Sequence, residues 1–123
     1  MQRCFTNILT EEVAKTAAFY EKILGMKPQF SSDWFVNLVS PDNASLELGI
    51  LSRTHDIVPA RAQHAPAGMI ITFVLDDCDA IYDKAVAANA VIIEAPRDMP
   101  YGQRRMILRD PAGSFVDISS VIN

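Results

Sequence analysis

A chain of 123 residues is long enough for one compact domain, and half of its residues are hydrophobic, a balance typical of globular proteins. Its formal net charge of −4 disfavours a nucleic-acid partner, because phosphate binding needs clustered positive charge. No apolar run approaches the roughly 20 residues of a membrane helix and no apolar leader follows Met1, so we expect a cytoplasmic protein without membrane contact.

The N-terminal half predicts a strand, a helix and a second strand. The first strand covers residues 4–9, and the helix covers 11–24 because apolar residues recur there at helical spacing. Thr10 is the expected N-cap of this helix, and Gly25 is the expected left-handed stop. The next strand is predicted at residues 27–31.

Each half then ends in a β-hairpin, and the two hairpins resemble each other. Residues 37–48 align without a gap on residues 107–118. Both segments contain an extended run, a turn opened by Ser-Pro or Asp-Pro, and a second run with an acidic residue between apolar ones. This alignment places Glu47 and Asp117 at equivalent positions of the two last strands.

The C-terminal half repeats the order of elements. Asp76 or Asp77 is the expected cap of its helix, and Asn89 is suited to the left-handed exit. The segment 52–67 has no clear period and is predicted to be a linker or lid. The predicted elements of this half are a strand at 69–75, a helix at 77–88 and a strand at 91–94.

Each half therefore has the order β-α-β-β-β, which predicts an α+β fold in a single domain over residues 1–123. The first module covers about residues 1–51 and the second about 68–123. In both last strands the aliphatic residues alternate with the carboxylates of Glu47 and Asp117. If the aliphatic residues pack on the helices, the two carboxylates face the open, concave side of the sheet.

Three motifs carry a resemblance to a known family. Residues 16–26 (TAAFYEKILGM) resemble the pattern S-x-x-F-Y-x-x-x-L-G-M. Residues 101–104 (YGQR) and 110–118 (DPAGSFVDI) resemble the patterns aromatic-G-x-R and D-P-x-G-x-x-x-E-[LI]. The chain thus resembles the vicinal oxygen chelate superfamily, which includes glyoxalase I, extradiol dioxygenases and the fosfomycin- and bleomycin-resistance proteins.

The resemblance implies a fold and a site. It implies two βαβββ modules that form a curved mixed sheet, with the helices on its convex side and a small-molecule site in its cup. It also implies a homodimer, since members of this superfamily usually complete the cup by pairing modules within or between chains.

In metal-dependent members four side chains hold a divalent ion, and the resemblance carries these positions onto Phe5, Glu47, Met69 and Asp117. Phe5 has no donor atom, and the thioether of Met69 is a soft donor that suits copper(I). We therefore expect no metal cofactor. The alternative is a divalent ion (Zn, Ni, Mn, Fe or Mg) held by Glu47 and Asp117, with water or substrate completing the site.

The candidate site residues have structural alternatives. Glu47 and Asp117 are the candidate catalytic groups, although a charged strand residue is often simply solvated. Phe5 and Met69 either line an apolar pocket or pack in the core. The complete set of candidate pocket residues is Phe5, Trp34, Met69, Tyr101, Arg104 and Phe115.

Three functions remain open at this point. The first is a protein that binds a partly apolar small molecule, as bleomycin-resistance proteins do. The second is a lyase or isomerase of glyoxalase type, or a related dioxygenase, that uses Glu47 and Asp117 as ligands or general bases. The third is a regulatory subunit without activity of its own.

Overall fold

Each half of the chain folds into a four-stranded mixed sheet with one helix packed against it, in a computed structural model that describes residues 1–122. The first module contains β1 (Thr6–Thr10), α1 (Val13–Leu24), β2 (Lys27–Ser31), β3 (Phe35–Val39) and β4 (Glu47–Ser52). The second contains β5 (Ile70–Val74), α2 (Cys78–Ala87), β6 (Val91–Asp98), β7 (Gln103–Arg109) and β8 (Phe115–Val121). The predicted α+β fold of two βαβββ modules is confirmed.

The two sheets have the same topology. Their strand orders are β1-β4-β3-β2 and β5-β8-β7-β6. The first strand of each module runs parallel to the last, and the other pairs are antiparallel. Within residues 1–122, β1 and β5 are therefore edge strands, each with one side that has no strand partner.

Helix α1 begins two residues later than the sequence pattern predicts. Glu12 is at the N-cap position without a side-chain cap hydrogen bond. Thr10, the predicted cap, instead accepts a hydrogen bond from the Glu12 amide at 2.9 Å and shares one with Thr16 at 2.9 Å. Thr10 thus stabilises the bend that precedes the helix. Gly25 ends the helix at φ +67°, as predicted.

The ends of helix α2 agree with the sequence. The carboxylate of Asp77 accepts a hydrogen bond from the Ala80 amide at 3.0 Å, which is the expected N-cap contact. Asn89 adopts the left-handed conformation at φ +56°, just beyond the helix.

Strand alternation places the aliphatic residues against the helices. Ile50, Val116 and Ile118 are fully buried, and Leu48 is 5% exposed. The exception is Leu46, which was expected to share this face but is 58% exposed, because it lies in the turn before β4 begins.

Tyr20 links the two modules through one buried hydrogen bond. Its hydroxyl donates to Oδ2 of Asp110 at 2.6 Å, and both residues are buried. The same carboxylate accepts hydrogen bonds from the amides of Ala112 and Ser114, which hold the β7–β8 turn. Burial, together with the charge of Asp110 and the hydrogen bond to it, raises the pKa of Tyr20 far above its ordinary value. The Tyr20 ring also lies 6.1 Å from that of Phe73 on β5.

The segment between the modules packs against the first module. Val58 is 5% exposed, and its carbonyl accepts a hydrogen bond from the side chain of Gln63 at 2.9 Å. The Arg53 amide donates to the Thr10 carbonyl at 3.0 Å. Within residues 1–122, no helix is both long and apolar enough to cross a membrane.

Removing the Tyr20 hydroxyl should destabilise the fold. Tyr20→Phe leaves one oxygen of the buried Asp110 carboxylate without its donor, and we expect a loss of about 1–3 kcal/mol in the free energy of unfolding. Equilibrium urea unfolding measures this loss. Tyr82→Phe is the matched control, because Tyr82 is only partly buried and its hydroxyl has no partner among the described residues. Equal losses in the free energy of unfolding of both variants would contradict a stabilising role of the Tyr20–Asp110 hydrogen bond.

Candidate functional site

A cavity of about 580 Å³ lies between the outer edge of β5 and the N-terminal end of the first module. It exists because β1 and β5 do not pair with each other in the described chain, so the space beside the β5 edge stays open. Its apolar walls include Phe5, Leu24, Met26, Leu48, Ile71 and Phe73. Its polar side chains include those of Ser40, Asp42, Glu47, Thr72 and Asp76.

Glu47 is the most constrained polar group of this cavity. Its side chain is 5% exposed, and Nε of Arg3 donates to its Oε2 at 3.0 Å while Nη2 of Arg3 contacts Oε1. The Asn37 side-chain nitrogen also donates to Oε1, at 3.3 Å. The hydrogen bond from Arg3 holds the pKa of Glu47 below its ordinary value, against the opposing effect of burial. Glu47 is therefore an ionised carboxylate that is already paired.

Asn37 carries an unpaired polar atom next to this carboxylate. The residue is 3% exposed and lies in the middle of β3. While its nitrogen donates to Glu47, its Oδ1 is buried without a hydrogen-bond partner in the described chain. Buried polar atoms are nearly always hydrogen-bonded in folded proteins, so this oxygen is an exception, although Asn37 itself does not border the cavity.

The predicted equivalence of Glu47 and Asp117 does not hold in the structure. Asp117 pairs across the sheet with Thr72 and with Ile107. Residue Gly49 has the corresponding partners in the first module, on β1 and β3. Glu47 therefore lies two residues before the position that corresponds to Asp117.

The cause of this shift is the length of the hairpin turn. In the first module the Ser40 amide bonds to the Leu46 carbonyl, whereas in the second the Asp110 amide bonds to the Ser114 carbonyl. The first turn is thus two residues longer, although the proline-to-carboxylate spacing is the same. At Gly49 no side chain projects, and the Asn7 amide and the Phe35 ring occupy that space.

Asp117 is held by residues of its own sheet. Its two oxygens accept hydrogen bonds from Thr72 at 3.1 Å and Ser119 at 2.6 Å. Thr72 borders the cavity, but Asp117 does not. The structure therefore does not bring Glu47 and Asp117 together on this cavity.

The donor set does not fit a divalent metal of the kind the superfamily binds. Phe5 borders the cavity but has no donor atom, and Met69, which precedes β5, does not border the cavity. Among residues 1–122, no group of three His, Cys, Asp or Glu side chains converges. Without further carboxylates or imidazoles beside Glu47 among these residues, too few donors meet at one point to hold a hard cation.

The other candidate pocket residues lie away from the cavity. The Trp34 ring stacks on His55 with centroids 3.9 Å apart, near the end of β4 opposite Glu47. Tyr101 is 58% exposed in the β6–β7 turn. Phe115 lies on the outward face of the second sheet, under the guanidinium of Arg109. Their roles in ligand binding stay predictions.

Arg104 and Arg105 point to opposite sides of β7. Arg104 forms salt bridges of 3.0 Å with Asp79 on helix α2 and with Asp98, so it lies on the helix side of the sheet. Arg105 shares the outward side with Asp117 and pairs with Glu94 at 3.2 Å. The sequence could not distinguish these two orientations.

Sequence reasoning missed two residues of the site. Arg3 lies outside every regular element, and no periodicity indicates its contact with Glu47. The face of β3 on which Asn37 lies could be predicted, because Asn37 alternates with Val36 and Leu38, which are both buried on the helix side. Its proximity to Glu47 depends on the longer turn.

Comparisons with known proteins agree with the fold. The family model for the Glyoxalase/Bleomycin resistance protein/Dioxygenase superfamily matches residues 5–118. A search of curated proteins found no match.

Solved structures share the fold at low sequence identity. A glyoxalase/bleomycin resistance protein/dioxygenase family enzyme from Burkholderia phytofirmans PsJN is 23% identical, with a TM-score of 0.79 over 96% of this chain and 97% of that one. A superfamily member from Sphaerobacter thermophilus DSM 20745 is 21% identical, with a TM-score of 0.77 over 98% and 97% of the two chains. An integron cassette protein from V. cholerae is 20% identical, with a TM-score of 0.72 over 98% and 94%.

The Arg3–Glu47 pair should stabilise the fold in a pH-dependent way. Because the folded-state pKa of Glu47 is lowered, the contribution is complete above the ordinary glutamate pKa of about 4.3. It is lost as the pH falls through the lowered folded-state value. We expect Arg3→Ala to unfold at lower urea concentration than the wild type at neutral pH, and the two midpoints to converge in acid.

Arg61→Ala is the control for this measurement, since Arg61 is an exposed arginine in the short 3-10 helix between the modules. Its midpoint should follow that of the wild type at every pH. A constant difference between Arg3→Ala and the wild type down to acid pH would show that Arg3 acts through packing rather than through the Glu47 carboxylate.

Proposed function

Since the chain belongs to the Glyoxalase/Bleomycin resistance protein/Dioxygenase superfamily, we propose that it binds a small, partly apolar organic molecule in the cavity beside Glu47. The observation that carries this proposal is the cavity itself. Its volume of about 580 Å³ lies within the range of roughly 300–1,000 Å³ that is usual for small-molecule sites. The walls are mostly apolar, and a few polar groups lie at one end.

The apolar walls and the polar end of the cavity contribute differently to ligand binding. Burying a ligand's apolar surface against Phe5, Met26 and Phe73 supplies affinity, at about 25 cal/mol per Å² removed from water. Glu47, which borders the cavity, supplies orientation, because its oxygens accept hydrogen bonds from a ligand of matching geometry.

Binding without chemistry is the simplest activity that this site supports. A lyase or isomerase of glyoxalase type would need reactive carboxylates or a metal centre around one substrate. Here Glu47 is paired with Arg3, and Asp117 lies outside the cavity. Sequestration of a ligand needs only the cavity and its hydrogen-bonding groups.

Thermal-shift screening with neutral apolar fragments tests this function. A ligand at about ten times its Kd adds about 1.4 kcal/mol to the stability of the folded state and should raise the Tm by several degrees. Thr72→Phe places a larger side chain at the border of the cavity and should abolish the rise in Tm. Thr54→Phe, on the exposed linker, should leave this rise unchanged. Zinc, nickel, manganese, iron(II) or magnesium salts should leave the Tm unchanged. A dose-dependent rise with a metal salt but none with any fragment would refute the proposal.

We also propose that two copies associate through the outward face of the second sheet. One cross-strand row of this face runs through Ile70, Phe115, Arg109 and Val91, and its three apolar members are 59%, 39% and 56% exposed. Val74, on the same face, is 60% exposed. Several exposed apolar residues on one sheet face are typical of protein interfaces.

Light scattering coupled to size-exclusion chromatography tests the association. The wild type should elute with the mass of two chains, and Ile70→Asp should shift it to one chain, because the new carboxylate would have to be desolvated where the wild type buries an apolar side chain. Val86→Asp is the control, since Val86 is 51% exposed but lies on helix α2. A wild type with the mass of one chain at all concentrations would exclude the dimer.

A further inference from the structure

We propose that the ligand carries a guanidinium or ammonium group, and that this group binds Glu47 by displacing Arg3. The inference rests on the proposed function and adds the chemical class of the ligand. In the free chain, Arg3 occupies the position that the ligand cation takes.

The geometry of the Arg3–Glu47 contact shows how a cation can bind beside Glu47. A guanidinium places two nitrogens against the two oxygens of one carboxylate, with Nε at 3.0 Å from Oε2. The same guanidinium lies 5.0 Å from the centre of the Phe5 ring. Carboxylate and aromatic face together form a cation site of the kind that favours planar or ammonium cations. Both Glu47 and Phe5 border the cavity, whereas Arg3 does not, so this cation site lies at the rim of the cavity.

The two partners of this ion pair differ in exposure. The Glu47 side chain is 5% exposed and is positioned by β4 and Asn37, whereas the Arg3 side chain is 56% exposed and precedes the first strand. A ligand cation would replace the charge of Arg3 with an equal charge, so the exchange leaves the Glu47 carboxylate paired. Arg3 is accessible to this exchange because most of its side chain is in solvent, while the carboxylate stays in place.

Asn37 helps to fix the carboxylate in place. It is 3% exposed, and its side-chain nitrogen donates to Oε1 of Glu47 at 3.3 Å. Asn37 does not border the cavity, so a ligand there contacts Glu47 and not this amide. The carboxylate therefore keeps its position when the cation that pairs with it is exchanged.

The charges around the cavity favour a cation over an anion. Besides Glu47, the ionisable side chains on its wall include Asp42 and Asp76, which are both exposed and acidic. No lysine, arginine or histidine borders the cavity in the described part of the chain. A ligand with a carboxylate or phosphate would be repelled by these acidic side chains.

Three planar probes of nearly equal size separate charge from shape: benzamidine is cationic, benzamide is neutral and benzoate is anionic. Their binding to the wild-type chain is measured by NMR titration of backbone amides. We expect benzamidine to shift amides of the cavity walls and to bind at least about fivefold more tightly than benzamide, with no binding of benzoate.

Two variants test the exchange. Arg3→Ala should tighten benzamidine binding by about twofold to fivefold, because the competing cation is gone, and should leave benzamide binding unchanged. Glu47→Gln should weaken benzamidine binding by at least about tenfold. Arg61→Ala should change neither. Should Glu47→Gln fail to fold, the probe series and Arg3→Ala still decide the question.

The outcomes distinguish this inference from the proposed function. If benzamide binds as tightly as benzamidine, the cavity binds ligands but the cation preference is wrong. If Arg3→Ala weakens benzamidine binding, Arg3 supports the ligand rather than competing with it, and the exchange is wrong. If no probe binds to the wild type or to Arg3→Ala, the cation site is excluded, and the fragment screen with Thr72→Phe decides separately whether the cavity binds neutral molecules.

Discussion

The buried hydrogen bond from Tyr20 to Asp110 is the interaction on which the arrangement of the two modules depends. It connects helix α1 of the first module to the β7–β8 turn of the second, at 2.6 Å and without access to water. The Asp110 carboxylate is also the acceptor that shapes that turn. The link holds the turn next to α1, and the Tyr20 ring also contacts Phe73 on β5. The cavity lies along the edge of that strand.

A difference of two residues in one turn changes the chemistry of the site. The longer first hairpin moves Glu47 off the position that corresponds to Asp117, and Gly49 takes that place. One module thus has a carboxylate in the middle of its last strand, and the other has bare backbone covered by Asn7 and Phe35. Two carboxylates at unmatched positions are poorly suited to sharing one ion, whereas a carboxylate paired with a guanidinium is suited to recognising a cation.

The contact between Arg3 and Glu47 explains how a nearly buried carboxylate can stay ionised at this site. A nearly buried carboxylate beside apolar walls is unstable without a counter-charge. The chain supplies that charge from a residue that stays mostly in solvent. The fold thereby keeps an ionised acceptor at the cavity in the absence of a ligand, with a cation that water can reach and a competitor can displace.

The sequence alone determined the order of the elements and most of the residues that face the helices. These depend on local and periodic signals: the Gly25 stop, the Asp77 cap, and the alternation that buries Ile50 and Ile118. Only the tertiary structure decided which residues lie beside Glu47, because Arg3 and Asn37 are separated from it by 44 and 10 positions in the sequence. The register of β4 was decided in the same way, since the turn length depends on how hydrogen bonds close the hairpin rather than on the proline spacing that the two halves share.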